Sequence, residues 1–297
     1  MTLLRTPWGF IIVMSVFVVT LFYLSWSLPV EKQDDLTSSY PIERNIRYSY
    51  QLKNISGTFL KEAEFWTHVP VKQTSSQQTR NIHSTAAYKL ESDVEGNQRL
   101  IYTVKNIPPY GTKTITINVK LAMSDKPNNL PSSDVKAFLK SERYVETDSP
   151  AIKALSEKLA GENSQETVAS NYTWVTKNLL DEGYVKNDRG ALYAINNKKG
   201  DCTEYMYLLT ALNRSNGIPT RGISGFVVRE DAVLRSSDYH NWTLSLVDGL
   251  WQLIDPHKEI FMTHSADYIA MRLLGGIGSN SAQTLFGGSP GLEIVMN

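Results

Sequence analysis

Three residue types in this chain could together carry nucleophilic chemistry: a cysteine, a histidine and an aspartate. Cys202 is the only cysteine among 297 residues. Gly200 and Asp201 interrupt the chain before it, and apolar residues follow at 205, 208, 209 and 212, the spacing of a helical stripe. Gly217 and Pro219 then end the stripe, as a glycine just past a helix and a following proline do. The thiol is therefore expected in the first turn of a helix. Unpaired backbone N–H groups and the helix dipole there favour thiolate over thiol. A lone cysteine is otherwise a small core residue, and only suitable partners raise it above that reading.

The partners lie beyond the helix. His240-Asn-Trp-Thr-Leu-Ser-Leu-Val alternates, Asp248-Gly249 has the composition of a two-residue hairpin turn, and Leu250 to Asp255 returns. If that turn is the whole loop, Val247 faces Leu250, Trp242 faces Asp255 and His240 faces His257. One face then carries His240, Trp242, Asp255 and His257. His240 and Asp255 become diagonal neighbours, within reach of each other. An imidazole can take the thiol proton and return one to a leaving group, while a carboxylate fixes its tautomer. Singly, a His beside Trp is an ordinary sheet residue and an Asp before Pro an ordinary turn. Their conjunction with a helix-capping cysteine is what points to a nucleophile, base and orienter.

Composition narrows the rest. Lys+Arg and Asp+Glu both number 30, so no charge excess points to nucleic acid. One cysteine excludes an intramolecular disulfide, and no Cys/His cluster has zinc spacing; neither a metal nor a cofactor is expected. Trp8 to Leu28 contains no charged residue and would span about 30 Å as a helix, the hydrocarbon thickness of a bilayer. Arg5 precedes it and Glu31, Asp34 and Asp35 follow, which places the N-terminus in the cytoplasm. Residues 8–28 are thus expected to be a signal anchor in the lipid bilayer. A cleaved signal peptide is the rival reading, with Ser25-Trp26-Ser27 an ill-suited cleavage site. The expected location is a cell inner membrane, single-pass, with the later domains facing the periplasm or exterior. A glycosylation sequon at Asn241, where a glycan would block the base, agrees with a bacterial compartment.

Residues 40–123 read as short strands, among them the alternating runs Ile46, Tyr48, Tyr50, Leu52 and Ile115, Ile117, Val119, Leu121, and suggest a small antiparallel β-sandwich. Residues 124–147 form a linker and connecting helix. A core over 148–263 opens with Ser149-Pro150 as a helix start and Asn163 with Glu166 as a second. Residues 264–297 are a C-terminal extension, with a last strand at Leu292–Met296.

Gly200-Asp201-Cys202 with its helix, Gly217-Ile218-Pro219-Thr220-Arg221, His240-Asn241-Trp242, Asp248-Gly249-Leu250-Trp251 and Leu253-Ile254-Asp255-Pro256 together resemble the transglutaminase-like superfamily of papain-like cysteine enzymes. The resemblance covers about residues 148–260. It implies Cys202 as nucleophile, His240 as general base and acid, Asp255 as third member, and a thioester intermediate. The family's common Thr after Asp-Pro is His257 here. It also implies a helix-borne cysteine packed on an antiparallel sheet; with the β-sandwich and the N-terminal transmembrane helix read above, the fold class expected is α+β. The backbone N–H of Cys202 would serve the oxyanion. Tyr184 and Tyr193 are candidates for a second donor and, together with Trp242 and His257, for substrate contact.

The function expected is that of a membrane-anchored, extracytoplasmic cysteine enzyme acting on peptide or glutamine-type amides of a protein or peptide substrate. Hydrolysis is favoured, with acyl transfer (protein cross-linking) the alternative. The competing reading is a non-catalytic peptide- or glycan-binding protein on the same fold; the presence of all three residues weighs against it.

Overall fold

A computed structural model of the chain describes residues 39–130, 134–275, 281–282 and 284–297. The alternating apolar residues of β1 (Ile42–Asn54) and β6 (Thr112–Met123) place Tyr48 opposite Ile117 and Ile46 opposite Val119 on one inward face. β3 (Gln77–Ser84) flanks β6. A facing sheet is made of β2 (Leu60–Val69), β5 (Gln98–Ile107) and β4 (Lys89–Ser92). Tyr50 and Tyr102 meet Phe65 at 5.1 and 5.4 Å between ring centroids, so aromatic packing joins the two layers. Distant chain completes both sheets. β10 (Ala232–Val233) and β16 (Leu292–Met296) pair with β1, and β15 (Phe286–Gly288) pairs with β2.

The second half is built around one helix. α1 (Pro150–Leu159) starts at Ser149-Pro150, and α2 (Ser164–Asn178) is capped by Asn163, whose side chain accepts from Glu166 N. β7 (Leu180–Asp181) lies parallel to β8 (Lys199–Gly200), on either side of α3 (Ala191–Asn197). β8 delivers the chain to α4 (Cys202–Ser215). Asp201 caps α4 and Glu204 reaches back to the Asp201 backbone N–H, a full capping box.

Every residue of α4 from Thr203 to Arg214 is buried, whereas the spacing of apolar residues predicts one buried stripe. The polar residues tolerate this because each is paired. Glu204 meets Arg189, Asn213 meets Asn171 and Ser245, and Arg214 meets Glu142 and the Thr220 carbonyl.

Against α4 lies an antiparallel sheet in the order β13 (Ile260–Phe261), β12 (Leu250–Asp255), β11 (Tyr239–Val247), β9 (Thr220–Val227), β14 (Tyr268–Leu273). Val247 pairs with Leu250 and Thr243 with Ile254, the register read from the Asp248-Gly249 turn. Both turn residues have positive φ, 51° and 79°, as the tight hairpin turn requires.

The N-terminal transmembrane helix expected in the fold needs correction. Among the described residues no helix is long and apolar enough to cross a membrane. The longest, α2, has 15 residues and would reach only about 22 Å. The run from Trp8 to Leu28 lies outside the described residues. The bilayer contact, the single-pass inner-membrane location and the periplasmic orientation all rested on that run, and nothing among the described residues supports them.

Candidate active site

Cys202 is the first residue of α4, and its thiol is partly buried. The position is as the sequence predicts, but the electrostatics are not. Asp201 spends its carboxylate on the helix N-terminus, accepting from Thr203 N at 2.8 Å and from Val185 N at 2.9 Å. Burial, followed by the negative charge of Asp201, pushes the Cys202 thiol up to about 12. The resting group is a thiol, and its Sγ donates to Asn241 Oδ1 at 3.5 Å.

Asn241 is held by the residues around it. Its Oδ1 also accepts from Thr203 Oγ1, and its Nδ2 donates to Ser224 Oγ, to Tyr239 OH and to the Ile223 carbonyl. The side chain is buried and cannot turn without losing several of these bonds.

His240 and Asp255 form a close pair, with Nε2 and Oδ2 2.6 Å apart. Asp255 has no solvent exposure, and every acceptor position of its carboxylate is used. His240 and the Tyr268 hydroxyl share Oδ2, while Oδ1 accepts from the backbone N–H of His257 and of Lys258. Burial acts to raise the pKa of Asp255, but His240 outweighs it, aided by the Lys258 amide and Tyr268, and holds the carboxyl below its usual range. The ring uses Nε2 for this pair, which leaves Nδ1 for the cleft.

The ready-made Cys-His-Asp triad implied by the resemblance also needs correction. Among the described residues there is no hydrogen bond between Cys202 and His240, and the reason is the period-2 alternation of β11. Asn241 and Ser245 turn to α4, where they meet Cys202, Thr203 and Asn213. His240 and Trp242 turn to the opposite face, where Trp242 packs on Tyr268 at 5.0 Å and clusters with Val71 and Leu244. Thiol and imidazole nevertheless line the same cleft, of about 670 Å³.

The other candidates separate. His257 lines the cleft, its ring 5.5 Å from that of His240, and its Nε2 lies 3.3 Å from Asp181 Oδ2. Tyr184 lines the cleft mouth and is 80% exposed. Trp242 is buried in the sheet core behind His240 and does not line the cleft. Tyr193 sits under the Arg189 guanidinium, 4.1 Å from ring centroid to Cζ, and accepts its hydrogen bond away from the cleft. Sequence reasoning missed Asn241, Asp201 and Tyr268 as members of the site. Alternation along β11 carried a signal for Asn241; for Tyr268, two strands away across the sheet, there was none. It also missed the apolar wall formed by Leu285, Phe286 and Met296.

Comparison with known proteins agrees with this fold. The sequence model of the transglutaminase-like superfamily matches residues 153–256, which hold α4, the hairpin and all three candidate residues. No curated protein sequence matches the chain. Among solved structures, a protein of Cytophaga hutchinsonii provisionally named a cysteine protease is similar with a TM-score of 0.58 at 17% identity, over 86% of this chain and 91% of that one. The periplasmic domain of TgpA from Pseudomonas aeruginosa, solved with ethylmercury bound, aligns with a TM-score of 0.38 at 12% identity, over 69% and 91% of the two chains. A provisionally named protease of Parabacteroides distasonis gives 0.34 at 15%, over 83% and 49%. Only the first is close enough to bear on the fold, and the fold is what it shares with this chain.

Proposed function

We propose that this protein is a transglutaminase-like cysteine enzyme, a hydrolase or acyltransferase, with Cys202 as its nucleophile and His240 and Asp255 as its proton-carrying pair. The observation that supports this best is that the only thiol of the chain and a carboxylate-bound imidazole open onto one cleft. A substrate carbonyl entering the cleft displaces the thiol from Asn241 by a turn about the Cys202 side chain. His240 Nδ1 takes the Sγ proton as the sulfur attacks the carbonyl carbon. The backbone N–H of Cys202, in the first turn of α4, donates to the oxygen that becomes negative. The imidazolium returns its proton to the leaving group, and water or an amine then takes the acyl group from sulfur. Asp255 holds the ring in the tautomer that leaves Nδ1 free to accept.

The test uses p-nitrophenyl acetate as acyl donor and the mass of the intact protein as readout. Wild type should gain one acetyl group on Cys202 and Cys202→Ala none. His240→Ala should acylate about 100- to 10,000-fold more slowly, the usual loss of a general base. Acyl transfer by Cys202→Ala at the wild-type rate would sink the assignment. So would a folded wild type that stays unacylated by this ester and by a series of acyl amides, and that result would leave a binding protein on an enzyme fold.

A further inference from the structure

The Asp255 carboxylate is held by four donors, and one of them comes from far across the sheet. Tyr268 opens β14, which is separated from β12 by β9 and β11. Its hydroxyl nevertheless donates to Asp255 Oδ2 at 2.8 Å, the same oxygen that lies 2.6 Å from His240 Nε2. Between them, Gly225 on β9 pairs with His240 on one side and Ala270 on the other, and its lack of a side chain leaves room for the Trp242 ring. A Cβ at 225 would strike the Ile269 carbonyl oxygen and come within 2.7 Å of the Trp242 ring. Trp242 lies edge-to-face on the Tyr268 ring and is stacked, at 19° between ring planes, with His240. The phenol is therefore fixed by packing on its ring and by a charged acceptor at its tip.

We propose that Tyr268 is a positioning residue of this site, which shares Asp255 Oδ2 with the imidazole and so fixes the carboxylate and, through it, the orientation of His240. The inference rests on the reading of His240 and Asp255 as the proton-carrying pair. A hydrogen bond to the charged form of an acid favours that form. Tyr268 thus helps His240 keep Asp255 ionised in a site where burial opposes the charge, and two donors on one oxygen define the plane in which the imidazole sits. The other titratable or charged groups facing the pair are Cys202 and Asp201 from α4, Asp181 from β7, His257 and Lys258 after β12, Tyr172 from α2, Glu259 after Lys258, Tyr239 of β11 and Asp267 before β14. Among the described residues, Tyr268 alone of these places a hydroxyl on the carboxylate.

The experiment follows the Asp255 carboxyl carbon by NMR as full-length protein is titrated, with Asp255→Asn giving the assignment. In Tyr268→Phe the Asp255 midpoint should rise by about one pH unit, a tenfold change in acidity. Tyr172→Phe, which removes a nearby phenol that makes no bond to Asp255, should move it by less than about a fifth of that. If Tyr268→Phe does not fold, the wild type still decides. The hydroxyl-bearing carbon of Tyr268, assigned through its contacts with Trp242, should shift at the same pH as Asp255. An unmoved midpoint in Tyr268→Phe, an equal shift in Tyr172→Phe, or a silent Tyr268 carbon would each overturn the proposal. Acylation by p-nitrophenyl acetate is recorded on the same samples. Its acid limb should move with the carboxyl. A carboxyl that moves while no acylation occurs in any sample removes the enzyme reading and leaves the hydrogen-bond role standing. Acylation with an unmoved carboxyl removes the role of Tyr268 alone.

Discussion

The resting thiol of Cys202 should be slow, and how slow can be worked out. Burial and Asp201 move it from 9.0 to about 12. At any pH below 9 that leaves about 1,000-fold less thiolate than an unperturbed cysteine carries. A more basic thiolate is also a better nucleophile, which over three pH units recovers about 20-fold. The net expectation is exchange with a small neutral disulfide, such as 4,4′-dithiodipyridine, about 50-fold slower than in the unfolded chain at the same pH. Because the chain has one thiol, the released thiopyridone reports Cys202 alone. Asp201→Asn keeps an oxygen that can accept from Thr203 N but removes the charge beside the sulfur. If that returns one pH unit, thiolate rises about tenfold, nucleophilicity falls about threefold, and exchange quickens about threefold. The rate of the wild type should climb steadily from pH 6 to beyond 10. A plateau between pH 5 and 8, with a rate at or above that of the unfolded chain, would mean a thiolate–imidazolium pair already exists at rest. It would refute both the Asn241 contact and the reasoning from burial.

Three further expectations follow from the same geometry. Asp255→Asn sets an amide N–H against a donor in either orientation, since His240 and Tyr268 occupy one oxygen and two backbone N–H groups the other. Acylation should fall about 10,000-fold, the loss that accompanies a wrong imidazole tautomer, and a loss under tenfold would show that Asp255 does not orient the ring. Because the Asp255 carboxyl is held below 3.8, its contribution to stability is present above that pH and is lost as pH falls through its folded value. The urea midpoints of wild type and Asp255→Asn should therefore converge between about pH 5 and 2; a constant gap would contradict this linkage. Gly225→Ala drives a methyl group into the Ile269 carbonyl and the Trp242 ring, and should cost about 1–3 kcal/mol in urea unfolding; a change below about 0.5 kcal/mol would show that the strands part freely there.

Local chemistry determined much of this protein before any fold was known. The start of α4 follows from the break at Gly200 and Asp201, its end from Gly217 and Pro219, and the hairpin register from a two-residue turn that admits one pairing. From that register alone, His240 and Asp255 had to share a face, because side chains alternate with period 2. Alternation does not say which face another element will cover. Tertiary packing decided that α4 lies on the Asn241 side, so that the thiol meets an amide at rest and the imidazole lies around the strand from it. Tertiary packing also buried Cys202 beside a cap carboxylate, which reversed the charge state expected from a helix N-terminus. Desolvation depends on everything that surrounds a group, and a sequence window holds only its neighbours in the chain. For the same reason Tyr268 could not be found: its hydroxyl reaches Asp255 across two intervening strands, a contact between residues whose strands do not pair.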